Sequence, residues 1–460
     1  MAKVFTPRPY QSLMMEHIWK HPRCALWAFM GAGKTVSTLT AMEDLAVVEP
    51  IYPMLIIAPL KVALTTWPNE LREWEHLAHL TAIPLCGTAA QRERALRIAA
   101  PIYTINFESL PWLVKVLGDR WPFKTVIIDE ATKLKGFRSG GKKTRATSLA
   151  QVIHQKVDRV VELTGTPAPN GLQDLWGQLW FLDAGKRLGR TYTAFKDRWF
   201  NSNSYTYEVT PKEGAMTQII DAVSNICLTI NAEDYFDLQA PVVQNLKVVL
   251  PPKARQLYDD LQRLMFIELS AGDVTATTAA ARSQKCLQVA AGALYLDEGA
   301  TAEWEVIHDE KLDMLEQLID EFHGENILVS YQYKADLARL KDRFPQGVHL
   351  DNNPATERNW NKGLIPLLFA HPMSAGHGMN LQHGGRVIVH LNLGWNYEGY
   401  AQINERLGPV RQRQAGYERT CFVYHLLAED TVDYGVLERL TTKRDVQDIL
   451  LTATAKGSWS

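Results

Sequence analysis

Thr125-Val126-Ile127-Ile128-Asp129-Glu130 is the stretch on which the reading of this chain turns. A β-branched and apolar run of four predicts a short buried strand, and two acids follow where that strand leaves the core. Alone, such an ending is usually a solvated strand end. Two other stretches change its meaning. Upstream lies Gly31-Ala32-Gly33-Lys34-Thr35, a glycine turn running into a helix-compatible segment at 36–45. Downstream lies Leu163-Thr164-Gly165-Thr166-Pro167. Glycines let backbone N–H groups close around phosphate oxygens, Lys34 can reach the β- and γ-phosphates, and Thr35 can ligate Mg²⁺. Asp129 can hold the same Mg²⁺ shell, and Glu130 can orient an attacking water. The strict phosphate-loop pattern asks for glycine at position 28, where this chain has Ala28. The turn alone would serve equally as a helix cap; the paired carboxylates favour the phosphate reading.

Before the turn, Phe5-Thr6-Pro7-Arg8-Pro9-Tyr10-Gln11 is a rigid, proline-rich entry to a helix. The Gln11 amide can both donate to and accept from an adenine edge, although a glutamine after Pro-Tyr is more often a surface residue.

With 460 residues, the chain exceeds one ordinary core, and two or three domains are expected. Composition is globular, 46% hydrophobic and 22% charged, with no run long enough to span a membrane. Met1-Ala2-Lys3-Val4-Phe5 lacks an apolar secretory segment, which predicts a cytoplasmic protein. Cys24, Cys86, Cys227, Cys286 and Cys421 lie far apart without a C-x-x-C pair, so reduced, mostly buried thiols are expected rather than zinc ligands. A net charge of −2 excludes a global polyelectrolyte signature, so any nucleic-acid surface must be a local patch.

Short apolar runs alternate with helical patterns, the signature of parallel α/β units. Strands are expected at 55–58, 102–105, 125–128 and 160–163, and again at 327–330, 367–370, 387–391 and 421–425. Between them, helical stretches such as 254–269 and 279–296 dominate, with a Tyr- and Asn-rich piece near 200–210. The fold class expected is α/β: a first parallel-sheet lobe at 1–171, a mainly helical insertion at 172–310, and a second parallel-sheet lobe at 311–460.

With these residues in view, the chain resembles superfamily II helicases, and more narrowly the Swi/Snf-type ATP-dependent DNA translocases in a compact form like those encoded by bacteriophages. The resemblance runs in order over nearly the whole length. Arg8-Pro9-Tyr10-Gln11 resembles the adenine-reading Q motif and 30–35 resembles motif I. Ala58-Pro59-Leu60-Lys61 with Trp67 resembles motif Ia, and Ile105-Asn106-Phe107-Glu108 motif Ib. Asp129-Glu130-Ala131-Thr132 is similar to motif II, with Thr132 where the family usually has His or Gln, and 163–167 with Asn170 resembles motif III. Leu175-Trp176 through Trp199-Phe200 resembles the start of the family's helical insertion, and Leu250-Pro251-Pro252-Lys253 the lead into the second lobe. Ser374-Ala375-Gly376-His377-Gly378-Met379-Asn380-Leu381 is similar to motif V, and Leu393-Gly394-Trp395-Asn396 to the segment after it. Gln402-Ile403-Asn404-Glu405-Arg406 fits the beginning of motif VI, whose end matches Val410-Arg411-Gln412-Arg413-Gln414 after a two-residue insertion.

The resemblance implies two RecA-like lobes and hydrolysis of ATP with Mg²⁺ in the cleft between them. Lys34, Thr35 and Asp129 would hold Mg-ATP, with Thr35 and Asp129 as metal ligands and Glu130 positioning water. Arg8, Gln11, Gly31, Ala32, Gly33 and Gly378 are the further nucleotide-binding candidates. The arginine finger maps to Arg411, with Arg406 and Arg413 as competitors. Lys61, Asn106 and Ser374, with backbone N–H groups around Gly376 and Gly378, would contact a nucleic-acid backbone without reading its sequence. The expected partner is DNA, double-stranded or branched rather than RNA, with a replication or recombination protein as a further partner, no membrane, and a monomeric protein in the cytoplasm of a bacterial host.

One local feature points to DNA independently. Residues 133–145 carry Lys133, Lys135, Arg138, Lys142, Lys143 and Arg145 with no acid, a concentrated positive segment suited to phosphate. Each of these alone could equally be a solvated basic face. Of the thirteen tryptophans, Trp176 and Trp180 at i, i+4 spacing read as core, and only Trp360 and Trp395 are weighed as functional. His377 has no partner at metal-ligand spacing. Rival readings are an ATPase that strips proteins from nucleic acid, the motor subunit of a restriction-type system, and an inactive binding module. No nuclease-like segment supports the second, and intact Lys34, Asp129, Glu130 and Arg411 oppose the third.

Overall fold

The computed structural model describes residues 2–138, 145–202, 209–271, 276–296, 303–322, 324–351, 353–375 and 379–457. The chain forms two compact units, Met1–Phe236 with Lys443–Ser460, and Asp237–Thr442.

The first unit contributes β1 (Arg23–Ala28), β2 (Met54–Ala58), β3 (Ala82–Pro84), β4 (Ile102–Asn106), β5 (Thr125–Asp129), β6 (Arg159–Thr164), a hairpin of β7 (Phe200–Ser202) and β8 (Val209–Pro211), and β9 (Cys227–Ile230). Seven of these make one sheet in the order β3-β4-β2-β5-β6-β1-β9, with every pairing parallel. Both faces are covered, as a parallel sheet requires. Trp27, Leu55, Ile57, Ile128 and Val160 point into one buried cluster, and Leu26, Ile56, Ala58, Ile127 and Val161 into another.

The second unit contributes β10 (Val242–Val248), a hairpin of β11 (Ala293–Tyr295) and β12 (Trp304–Val306), then β13 (Ile327–Ser330), β14 (Val348–His349), β15 (Leu367–Ala370), β16 (Val387–His390) and β17 (Phe422–Ala428). Its six-stranded parallel sheet has the order β10-β17-β16-β13-β15-β14. The fold class is the expected one, two parallel-sheet α/β lobes.

Every strand expected from the apolar runs is present, within three residues at each end. The strands sequence reading missed have physical reasons. β1 is Ala- and Cys-containing and starts at Arg23, so its intrinsic strand preference is weak; it forms because it is paired on both sides, with β6 and β9. β10 carries Gln244, Asn245 and Lys247 and is largely exposed, so no apolar run announces it. β9 and β10 fall within 172–310, expected as mainly helical. That span does hold the helices Gln173–Asp183, Pro252–Ala271 and Ala276–Ala291, but it also supplies an edge strand to each sheet.

One buried acid in the first core, next to the motif III segment, is not used by it. Glu162 of β6 is 1% exposed, and its Oε1 has no hydrogen-bond partner among the described residues. Burial, reinforced by Asp183, pushes its carboxyl well above the usual carboxylate range. The folded state therefore keeps a proton that the unfolded chain releases near its ordinary value of 4.5, and stability is lost as pH rises from there through the raised folded value. Glu162→Gln should abolish this loss. Melting temperatures measured from about pH 5 to about pH 9 should show the variant gaining on the parent as pH rises; a constant difference would mean that Glu162 is not protonated in the folded state.

Candidate nucleotide site and strand-contacting residues

The carboxyl ends of parallel strands are where an open α/β sheet leaves room for ligands. The sheet order brings five motif segments to that edge of the first unit in sequence: β4 with Asn106, β2 with Lys61, β5 with Asp129 and Glu130, β6 with Thr164, and β1 with the glycine loop. Register sets Asp129 opposite Leu163 and Trp27 opposite Thr164.

Beyond β1 the chain turns through Gly31 and Gly33, at φ 86° and 75°, a left-handed conformation glycine adopts without the Cβ penalty. The helix Lys34–Leu45 follows, with Gly33 as its N-cap. Ala28 is the last residue of β1 and its φ is not positive, so the glycine asked for there is not needed for the turn. The Lys34 ammonium donates to the carbonyls of Ala28 (2.7 Å) and Phe29 (3.2 Å), across the loop it closes. Gln11 belongs to this loop: its Nε2 donates to the Ala32 carbonyl at 3.2 Å while its Oε1 accepts from the Arg8 N–H at 2.8 Å. A Cβ at position 33 would come within 2.3 Å of the Gln11 amide. The Gln11 amide is thus held beside the glycine loop by two protein partners. Arg8 Nη1 donates to the Tyr10 hydroxyl, and Tyr10 packs against Phe29.

Asp129 ends β5, and its Oδ2 accepts from the indole N–H of Trp67 at 2.9 Å. Burial raises the Asp129 pKa; the Trp67 hydrogen bond and the nearby Lys34 charge oppose that. Glu130 stands at φ 64° and ψ 57°, left-handed without being glycine, a placement costing about 1–3 kcal/mol that turns its side chain out of the strand direction. Its Oε1 accepts from the hydroxyls of Thr132 (3.1 Å) and Thr164 (3.4 Å). Thr132, the departure from the family's usual His or Gln, therefore orients Glu130 from a fully buried position. Gly165 lets motif III lie against the loop: a Cβ there would meet Met30 Cγ at 3.2 Å. The Thr35 hydroxyl and the Asp129 carboxylate are hard oxygen donors of the kind Mg²⁺ takes when phosphates and waters fill its other positions. The desolvated Asp129 carboxylate, already facing the Lys34 charge, is suited to a cation. Among the described residues no cluster of three His, Cys, Asp or Glu could hold a metal by itself.

The expected DNA-contacting residues divide. Lys61 is half-buried at the start of a π-helical turn, Val62–Thr66, a rare form often found at functional positions. Asn106 is 8% exposed and its Nδ2 donates to Glu108, so its amide faces the protein. Lys135 is half-buried in a loop held against the helix Gln173–Asp183, where a Cβ on Gly177 would meet the Lys135 carbonyl at 2.6 Å. In the same basic segment, Arg138 lies 3.5 Å over the Tyr192 ring and Arg145 pairs with Glu108. Lys142 and Lys143 lie outside the described residues.

In the second unit, Ser374 is exposed on the short helix Pro372–Ala375, while Gly376, His377 and Gly378 lie outside the described residues. The three competing arginines have different surroundings. Arg406 is 6% exposed and donates to the Met379 carbonyl at 3.0 Å. Arg411 is half-buried, donates to Asn380 Oδ1 at 3.3 Å, and has its pKa lowered by burial with Glu405 opposing. Arg413 is exposed and paired with Glu418. Arg406 and Arg411 thus both reach the end of the motif V segment, at Met379 and Asn380. Gln412 is core: it donates to the carbonyls of Gly385 and Leu407 and accepts from Arg419. Trp360 is fully buried with its N–H on the Leu381 carbonyl, which corrects its reading as a functional candidate. Trp395 is 37% exposed, and all five cysteines are free and buried.

Sequence reading noticed Trp67 only as part of motif Ia and Thr132 only as a departure; the Trp67 bond to Asp129 spans 62 positions and has no local signal, while the Thr132 hydroxyl reaches Glu130 two residues back. No helix among the described residues is long and apolar enough to cross a membrane.

Residues 13–292 match the SNF2-related domain. Protein p41 of Acyrthosiphon pisum secondary endosymbiont phage 1 is 47% identical over 98% of this chain and 99% of its own length. The ISWI chromatin-remodeling complex ATPase ISW1 of Saccharomyces cerevisiae is 24% identical over 92% of this chain, which spans 38% of that relative. The solved Sulfolobus solfataricus SWI2/SNF2 ATPase core in complex with dsDNA is 20% identical, covers 99% of this chain and 95% of its own, and has a TM-score of 0.45. The chain belongs to the SNF2-related family of Swi/Snf-like ATPases.

Proposed function

We propose that this protein hydrolyses ATP to move along or remodel double-stranded or branched DNA, in replication, recombination or repair. The observation that carries this reading is the convergence of Lys34, Thr35, Asp129 and Glu130 at the carboxyl ends of β1 and β5, in a chain of the SNF2-related family. Lys34 and the loop N–H groups would bind the β- and γ-phosphates, and Thr35 and Asp129 would hold Mg²⁺. Bound there, Mg²⁺ would neutralise charge on the phosphates. Glu130, aimed by Thr132 and Thr164, would orient the attacking water, and an arginine of motif VI would meet the charge developing on the γ-phosphate. Lys61 and Ser374 would hold the DNA backbone.

Steady-state ATPase rates without nucleic acid and with single-stranded, duplex and branched DNA and RNA test the reading. The greatest stimulation is expected from duplex or branched DNA; stimulation only by a protein–DNA complex would favour displacement of proteins from nucleic acid. Backbone contacts release counterions, so DNA affinity should fall linearly in log–log form with salt. Lys61→Ala should reduce that slope by about 0.9, the share of one phosphate, with no change in sequence preference. An unchanged slope in a filter-binding salt titration would remove Lys61 from the DNA surface.

A further inference from the structure

We propose that Trp67 is a positioning residue that fixes the Asp129 carboxylate and ties it to the segment carrying Lys61. This rests on the reading of Asp129 as a Mg²⁺ ligand. Trp67 is 1% exposed, and its indole Nε1–H donates to Asp129 Oδ2 at 2.9 Å. Indole has one polar group and no acceptor, so a buried tryptophan aimed at a carboxylate fixes one oxygen without competing as an acceptor for a metal; the Glu130 N–H also bonds this carboxylate.

The link to Lys61 is the π-turn. Val62–Thr66 is π-helical, with the Trp67 N–H on the Val62 carbonyl, and the helix Trp67–Glu73 continues from it. Pro68 explains the wide turn: it lacks the N–H that would bond the Leu64 carbonyl four residues back, and its ring crowds that carbonyl. The extra residue rotates Trp67 relative to an α-helical path and so sets which way the indole points. The turn is anchored at two points. The Ala63 N–H donates to the Pro59 carbonyl at 2.9 Å, and the fully buried Thr104 hydroxyl of β4 donates to the Ala63 carbonyl at 2.6 Å. Only five residues, 62–66, therefore separate Lys61 from the residue that holds Asp129, along a single hydrogen-bonded element. A shift of the Lys61 end on strand binding moves the indole, and with it the carboxylate.

Two variants test this. Trp67→Phe keeps an aromatic ring but deletes the N–H. Pro68→Ala restores a backbone donor and lets the turn relax toward α-helix. Mn²⁺ binding to the ADP-loaded protein, read by electron paramagnetic resonance, should weaken about tenfold in both, the size of one lost hydrogen bond to a charged group. Added duplex DNA should tighten Mn²⁺ binding in the parent and leave it unchanged in the variants. Melting temperature is followed alongside, because a purely packing role for Trp67 would lower it without moving Mn²⁺ affinity. Mn²⁺ affinity within twofold of the parent in a folded Trp67→Phe or Pro68→Ala protein overturns the inference. Asp129→Asn serves as the separate control: if it leaves Mn²⁺ affinity unchanged, the reading of Asp129 as a ligand is what has failed.

Discussion

Glu130→Gln is expected to bind ATP with affinity close to the parent's and to hydrolyse it about 10²–10⁴-fold more slowly, the usual range for a lost general base. The substitution is close to isosteric. The hydroxyls of Thr132 and Thr164 donate to Oε1, and a glutamine carbonyl oxygen can accept both bonds unchanged. The left-handed backbone at position 130 is set by the turn and does not depend on the charge. What disappears is the negative oxygen proposed to take up a water proton. Lys34 and the glycine loop, the proposed phosphate contacts, are untouched. Nucleotide affinity and turnover should therefore separate, which distinguishes this variant from Lys34→Ala, where hydrolysis is lost together with phosphate contact. Single-turnover rates beside equilibrium nucleotide binding measure both quantities. Turnover within tenfold of the parent would remove Glu130 from the reaction.

How much was legible beforehand follows from the range of the interactions involved. β2, β4, β5 and β6 are buried parallel strands built mainly of apolar residues, so each was expected within a residue or two. Asp129 and Glu130 were legible because sequence neighbours carry the chemistry together. β1 was not, although it leads into the glycine loop, because its strand state comes from its two partners, β6 and the edge strand β9. The bond between Trp67 and Asp129 spans 62 positions and that between Thr164 and Glu130 spans 34, so no local pattern announces either. At Asn106, the motif position expected to contact a nucleic-acid backbone, the amide Nδ2 donates to Glu108 two residues on, a partner that the motif reading did not show. The basic run at 133–145 shows the same limit, since Arg138 and Arg145 have partners, Tyr192 and Glu108, that charge counting cannot see.

Arg411→Ala is expected to lower ATP turnover by about 10³–10⁵, the range for an arginine finger, with nucleotide affinity little changed. The helix Tyr397–Leu407 ends at Gly408, and Pro409 opens a second helix, Pro409–Gln414, at the position proline favours. That joint gives the two-residue insertion of motif VI a physical form and places Arg411 two residues into the new helix. Its guanidinium is partly desolvated, so that burial lowers its pKa, and it bonds the neutral amide of Asn380. A cation in such surroundings gains more from a developing phosphate charge than one already neutralised by a carboxylate. Arg413 is of the second kind, exposed and paired with Glu418, and Arg413→Ala should be the mildest of the three. Arg406 is nearly enclosed and holds the Met379 carbonyl, so Arg406→Ala should impair hydrolysis and also lower the melting temperature, because it leaves a buried acceptor unpaired. Arg411→Ala should leave the melting temperature close to the parent's. The three variants are compared by steady-state ATPase at saturating DNA beside thermal unfolding. If Arg413→Ala proves the most damaging to turnover, the insertion is misplaced, the ion pair with Glu418 opens during the cycle, and the finger is Arg413.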